Sequence, residues 1–420
     1  MDIVERAERL WRGEDPDQKS NPLGAVGRIE EITSGVAFLP SFGNCTAFDT
    51  NDGLVMVDTG SIFTAPKVHE EIRSWSTQRL NHAIYSHGHI DHVFGVGPFD
   101  EEAESNHWPR PRVIAHQHLP RRFERYVMTA GYNQVVNRRQ FGTANLVWPT
   151  EYRFPDETYE SEHLLKVGSS EFHLRHEKGE TDDATVTWHP QKRVLCSGDL
   201  FIWNSPNCGN PQKVQRYPLE WAQALRRMAD LDAHYLLPGH GLPIFGPERI
   251  HQALSETAEY LESLIEQTLA MMNTGARLAD TISAVTVPAH LRARPYLQPF
   301  YDEPEFIVRN IWRLYGGWWD GNPANLRPAN DRRLARELAE LAGGPAALAT
   351  RAEELVNEGT EEALRLAGHL AEMAWLAAPD DLGVQSVRQQ VFHTLAQHAT
   401  STMSRGVFRW AERETTGEQF

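Results

Sequence analysis

The run Ser86-His87-Gly88-His89-Ile90-Asp91-His92 constrains this chain more than any other stretch. Four potential metal ligands, His87, His89, Asp91 and His92, fall within six residues, and Gly88 sits between the first two. Leu80, Ala83, Ile84 and Tyr85, just before them, are apolar and partly β-branched or aromatic, which predicts a strand ending where the ligands begin. His87 and His89 stand two apart, so a tight turn can aim both imidazoles at one ion. Asp91 and His92 then face a second point a few ångströms away. Imidazole with carboxylate suits a borderline divalent metal, zinc first. A chain carrying this motif must fold so that a strand end opens onto further ligands.

The bulk properties fit a soluble globular protein. The 420 residues are 40% hydrophobic and 23% charged, enough for two domains or one large domain with an appendage. A net charge of −16 argues against general binding to nucleic acid or anionic membranes. No apolar stretch approaches the ~20 residues needed to span a bilayer. The start, Met1-Asp2-Ile3-Val4-Glu5-Arg6, has no secretory apolar core. Cys45, Cys196 and Cys208 are sparse, odd in number and outside any C-x-x-C pair, so they read as reduced thiols of a cytoplasmic protein.

Along the chain, the first twenty-odd residues, with Pro16 and Pro22, are polar and read as an arm. Strand patterns run from Ile29 to Phe38, Asn44 to Asp49 and Leu54 to Val57, with a hairpin signal at Asn51-Asp52-Gly53. A helix follows from Ala65 to Arg79, then the ligand loop, then a short strand at Val113 to Ala115. Arg121 to Phe141 is helical or irregular. A second strand series includes Leu164 to Val167, Phe172 to Leu174, Ala184 to Trp188 and Val194 to Ser197. Leu236-Leu237 leads into Pro238-Gly239-His240-Gly241. Two β-rich halves, each followed by helices, predict an α+β sandwich with the ligands at its loop end. From Pro247 the pattern turns helical, with one long helix over Glu248 to Met272. Beyond Gly316-Gly317-Trp318-Trp319-Asp320-Gly321-Asn322-Pro323 the chain is almost wholly helical, as in bundles or short solenoids.

The H-x-H-x-D-H signature resembles the metallo-β-lactamase superfamily of dinuclear hydrolases, which implies an αββα sandwich. A dinuclear site needs about three ligands beyond this loop. The resemblance implies them at later strand ends, in the order third ligand, bridging acid, last histidine. The third falls at Glu180, where many relatives carry histidine. Asp199, in Ser197-Gly198-Asp199, takes the place of the bridging acid, and His240 that of the last histidine. One ion would then lie among His87, His89, Glu180 and Asp199, the other among Asp91, His92, Asp199 and His240. Asp58 would stand behind the site and orient one histidine. Two divalent ions bring four positive charges. Asp91, Glu180 and Asp199 cancel three, and a bridging hydroxide makes the cluster about neutral. Such a centre suits a monoanionic ester, provided that a protein cation helps to hold it.

Glutamate at position 180 resembles the zinc alkylsulfatases of that superfamily. So does the phrase from Gly317 to Leu326, which in that family joins the catalytic domain to a helical dimerisation domain. Gly343-Gly344-Pro345 to Ala378-Pro379-Asp380, the run Met403 to Glu412 and Arg138-Arg139-Gln140-Phe141-Gly142 extend the likeness. Two departures stand out. Larger alkylsulfatases carry a third, sterol-carrier-like domain, for which this sequence shows no counterpart. After the bridging acid, relatives have a His/Asn stretch and an arginine that holds sulfate. Here Asn204, Asn207, Lys213 and Arg216 are the stand-ins, and Trp203 is placed to wall a substrate pocket. His116 and His118 form another H-x-H that reads as surface or supporting histidines, and His173 and His176 as strand residues.

The resemblance implies a metallo-β-lactamase-like catalytic domain over residues 1–323, its core about 24–248, and an all-helical alkylsulfatase-type dimerisation domain over 324–420. It also implies two Zn2+ per chain (Mn2+ or Fe2+ as substitutes), a homodimer, and a small anionic ester as substrate. The expected reaction is cleavage of an alkyl sulfate to alcohol and sulfate, with Asp91 and Asp199 at the reacting centre. Hydrolysis of another ester, lactone or phosphodiester, a non-catalytic metal-binding dimer and an iron redox protein are the alternatives.

Overall fold

Two sheets stack face to face, and the alternation of side chains along their strands dictates the stacking. A computed structural model describes residues 2–14 and 26–417. The first sheet has seven strands in chain order: β1 (Glu30–Thr33), β2 (Val36–Leu39), β3 (Cys45–Thr50), β4 (Gly53–Val57), β5 (Leu80–Ile84), β6 (Arg112–His116) and β7 (Glu157–Tyr159). The second has six strands: β8 (Glu162–Val167), β9 (Ser170–Glu177), β10 (Ala184–His189), β11 (Val194–Ile202), β12 (Tyr235–His240) and β13 (Ile244–Phe245). Its spatial order is β13-β12-β11-β10-β9-β8.

Each sheet begins as an antiparallel meander and becomes parallel after a helical crossover. The helix Ala65–Trp75 carries the chain from β4 to a parallel β5, and the helix Pro218–Ala229 carries it from β11 to a parallel β12. In β4, Val55 and Val57 point toward the second sheet, while Leu54 and Met56 join Val68 and Ile72 of the crossover helix. This period of two lets a fully buried strand serve two cores. Phe48 of β3 meets Phe172 of β9 edge to face at 5.1 Å, which locks the sheets with about 0.5–1.5 kcal/mol beyond the area buried. The αββα sandwich is the expected fold.

Ile3–Trp11, within the stretch read as a polar arm, is a helix capped by the Asp2 carboxylate. Ile3, Ala7 and Leu10 lie on one face and enter the main core. Trp11 stacks on Tyr296 at 5.3 Å. Pro16 and Pro22 of that arm lie outside the described residues.

The chain folds into two compact units. The first comprises Met1–Met128, Pro149–Thr274 and Thr281–Tyr315; the second comprises Thr129–Trp148, Gly275–Asp280 and Gly316–Phe420. This differs from a single cut at 323. The helix Ala130–Phe141 belongs with the second unit because it packs on the helix Thr402–Glu414, with Arg139 over the Trp410 ring at 3.9 Å. A side chain at Gly406 would collide with the Gln140 backbone, so the two helices meet closely there.

Besides Ala130–Phe141, the second unit holds five long helices among the described residues, four of them with side-chain caps, at Asn330, Thr360, Asp381 and Ser401. Alanines 352, 363, 367 and 371 fill its core, so the helices approach closely. The buried Arg388 ties three helices together through Glu372, Glu414 and the Ala411 carbonyl, with its guanidinium 3.9 Å from the Trp375 ring.

Candidate metal centre

The candidate residues meet at one end of the sandwich for a topological reason. Parallel strands deliver their C-terminal ends to the same edge, and the antiparallel β10 brings its N-terminal end there. Asp58 thus follows β4, the ligand loop follows β5, Glu180 precedes β10, and Asp199 and His240 lie late in β11 and β12. β11 bulges between Gly198 and Ile202, which turns Asp199 into the site. Gly198 has φ +51°, and a Cβ there would approach the Ser86 side chain to 2.8 Å. Only glycine permits both the bend and the contact.

Two groups of donors result: His87, His89, Glu180 and Asp199, and beside them Asp91, His92 and His240. Within each group one donor atom per residue lies within 4.8 Å of the others. Asp199 joins the two groups. Its Oδ2 is 3.6 Å from His87 Nε2 and 3.3 Å from His240 Nε2, and its Oδ1 is 3.4 Å from His92 Nε2. Asp91 Oδ2 stands 3.3 Å from His240 Nε2 and 3.5 Å from His92 Nε2. Two ligands on a tetrahedral ion, each at ~2.0–2.1 Å, are about 3.3 Å apart, so these spacings fit divalent ions. The polar chemistry agrees. Among the described residues, the buried His92 Nε2, Glu180 Oε2 and Asp199 Oδ1 have no hydrogen-bond partner. Buried polar atoms without partners are rare and costly, and a cation in each donor group would satisfy all three between them.

Several of these residues are held from behind. Asp58 has φ +58° and takes three hydrogen bonds: from the Ser86 amide, from the Ser86 hydroxyl at 2.7 Å, and from His92 Nδ1 at 2.8 Å. The last fixes the tautomer that turns His92 Nε2 toward the centre. Glu180 is clamped by one oxygen only. Arg216 reaches its Oε1 at 2.5 Å and its carbonyl at 3.0 Å, and the Asn207 amide donates to the same Oε1. Oε2 is left facing His89 Nδ1 at 3.7 Å. Asp183 accepts from the Gly88 amide and from buried Arg122, and so braces the loop between the first two histidines. Asn44 donates to the carbonyls of Pro238 and Gly241, which staples the turn bearing His240.

The electrostatics favour a bound cation. Burial, then the neighbouring His92, lowers His87 to about 4, so its ring is neutral with a lone pair to offer. Burial would also lower His240, but Asp199 and Asp91 overcome it and raise the ring to about 9. For Asp199 and Asp91, burial opposes ionisation, yet the surrounding histidines hold both well below the usual carboxylate range. The carboxylates therefore attract positive charge strongly.

The proposed substrate contacts fall differently. Arg216 is 2% exposed and engaged with Glu180. Asn207 shares that task. Asn204 is buried and accepts from the Phe300 amide. Trp203 packs in the core: its indole donates to the Leu242 carbonyl and its ring lies near Trp11 and Tyr296. Lys213 is half-buried in the field of Asp91, and burial lowers its ammonium to about 8, leaving it largely charged at neutral pH. Sequence reading passed over Ser86, Asn44, Arg122 and Asp183. The Asp182-Asp183 doublet beside Glu180 was a visible signal for the last of these.

Comparison with known proteins places both units. Residues 39–240 match the metallo-beta-lactamase superfamily, and residues 277–418 match the family described as alkyl sulfatase dimerisation. A linear primary-alkylsulfatase of Pseudomonas sp. is 28% identical over 321 residues, 70% of this chain and 59% of the relative. An alkyl/aryl-sulfatase of Saccharomyces cerevisiae is 24% identical over 385 residues, 83% of this chain and 57% of the relative. The solved stereoselective inverting sec-alkylsulfatase from Pseudomonas sp. shares the fold with a TM-score of 0.83 at 19% identity, over 93% of this chain and 66% of that one. The chain spans between 57% and 60% of the length of the curated relatives it matches. The chain thus pairs a stretch similar to the metallo-beta-lactamase superfamily with one similar to the alkyl sulfatase dimerisation family.

Proposed function

We propose that this chain is a dinuclear, zinc-dependent hydrolase that cleaves alkyl sulfate esters to an alcohol and inorganic sulfate, and that it acts as a homodimer in the cytoplasm. The observation that carries the reading is Asp199, whose carboxylate stands between the two donor groups: Oδ2 faces His87 of one and His240 of the other, and Oδ1 faces His92. His87, His89 and Glu180 share it on one side; Asp91, His92 and His240 share it on the other. The mixed imidazole and carboxylate set favours zinc. When bound, the ions supply Lewis acidity and an acidified water. The relatives named as alkylsulfatases supply the substrate class.

The chain's own residues then have distinct tasks. Asp58 and Ser86 hold His92 and His87 in the tautomers that face the centre. Arg216 and Asn207 keep Glu180 to one donor oxygen. Lys213, which lies in the field of Asp91, is the cation assigned to steady the sulfate. The match of 277–418 to a dimerisation family, with Trp318 and Leu341 exposed on the single chain, supports the homodimer. The free, buried cysteines agree with a reducing compartment. No helix among the described residues is long and apolar enough to cross a membrane.

The test is sulfate release from short and long alkyl sulfates by the zinc-loaded protein, with lactones and phosphodiesters alongside. Release that vanishes in Asp199→Ala is expected, and Lys213→Met should raise KM more than it lowers kcat. Turnover of a lactone or phosphodiester without sulfate release would replace this reading.

A further inference from the structure

A second histidine cluster stands apart from the seven donors of the main centre. His116 ends β6, His118 follows two residues later, and His176 comes from β9 of the other sheet. One ring nitrogen of each lies within 4.8 Å of the others, the same span as in the main centre. Each ring is tethered by its opposite edge to a main-chain carbonyl. His116 Nε2 donates to the Glu160 carbonyl at 2.8 Å, His176 Nε2 to the Asp182 carbonyl at 3.0 Å, and His118 Nδ1 to the same carbonyl at 3.1 Å. Such a tether fixes the tautomer and leaves a lone pair on the second nitrogen of each ring, the usual support of a metal-bound histidine; the lone pair of His116 Nδ1 accepts from the His118 amide at 3.3 Å, a contact that an ion would displace.

We propose that His116, His118 and His176 form a separate mononuclear site for a divalent transition-metal ion of the zinc and cobalt type. Three neutral imidazoles suit zinc, cobalt, nickel and copper, and exclude magnesium and calcium, which take oxygen ligands. Three histidines leave one position of a tetrahedral ion for water. Burial lowers His116 to about 4 and His176 in the same direction, so neither ring is protonated at neutral pH. His118 and His176 are half-buried, which gives an ion a way in. The rings of His116 and His176 lie parallel with centroids 3.6 Å apart, so one must tilt to bring both nitrogens onto one ion. The site touches the main centre only indirectly. Asp182, whose carbonyl holds two of the rings, precedes Asp183, which accepts from the Gly88 amide of the ligand loop.

The test is Co2+ binding by the metal-free full chain, counted by equilibrium dialysis and elemental analysis. His176→Gln keeps a donor for the Asp182 carbonyl but removes the imidazole; His118→Asn does the same for the second ligand. Each variant should bind one ion per chain fewer than the wild type while its metal-free form melts at the wild-type temperature. Glu180→Ala should keep the ion at the three histidines, so failure of the main centre and failure of this one are read separately. An unchanged ion count in both histidine variants overturns the proposal.

Discussion

Glutamate differs from histidine as a ligand because it offers two equivalent oxygens, and an unrestrained carboxylate can swing between them. Here Arg216 and Asn207 occupy Oε1 and leave Oε2 for the centre. The grouping of Glu180 with His87 and His89 was expected from its place in Gly179-Glu180-Thr181-Asp182. The role of Arg216 was not, since 36 residues separate it from Glu180 and only the fold brings them together. An arginine counted as a sulfate holder is instead paired with the buried Glu180. Asp183 shows the same economy. Burial opposes its ionisation, but Arg122 brings its carboxyl down to about 2. A depressed carboxyl stabilises the fold above its unfolded value and loses that contribution as pH falls toward its folded value. In the metal-free protein, Asp183→Asn should cost about 2 kcal/mol at neutral pH from this pairing. That part of the difference should close between pH 4 and pH 2, as urea midpoints of both proteins would show. A gap that stays constant down to pH 2 would mean that Asp183 is not ionised against Arg122.

At the scale of elements, the site depends on strand ends that come very near one another. Gly239 precedes His240 in β12, and a Cβ there would run into the Asp199 carboxylate of β11. Gly239→Ala should therefore displace Asp199 from between the two donor groups. About a 10–100-fold loss of zinc affinity is expected, the usual effect of disturbing a ligand's support. Unchanged affinity would show that β11 and β12 have room to separate. The strands were legible because their apolar runs are bounded by turn signals, as at Asn51-Asp52-Gly53. The helix Ile3–Trp11 was missed. Its apolar stripe at Ile3, Ala7 and Leu10 has helical spacing, but Glu5, Arg6, Glu8 and Arg9 make the segment read as a polar arm. Trp203 misled for a related reason: an aromatic beside a ligand strand looks like a pocket wall, yet its ring fills the core behind Gly241.

For the whole molecule, a net charge of −16 repels the anionic ester proposed as substrate, so binding must rely on local positive charge. A near-neutral two-ion cluster with Lys213 beside Asp91 would supply it. The change of periodicity after Pro247 does not mark the division, since the helices over 247–274 and 281–315 stay with the β-rich unit, whereas the helical unit resumes at Gly316, where the glycine-rich stretch begins. The assignment of 129–148 to the helical unit was not legible, because it rests on the packing of the helix Ala130–Phe141 against Thr402–Glu414, which lies far away in the chain. The claim that unites residue, element and molecule is that two ions share Asp199 and both are needed for sulfate ester cleavage. The most direct test is to titrate zinc into the metal-free His176→Gln chain, in which the histidine cluster does not compete, while sulfate release from an alkyl sulfate is followed. The rate should reach its plateau at two equivalents of zinc per chain. A plateau at one equivalent, or no sulfate at any loading, would contradict it.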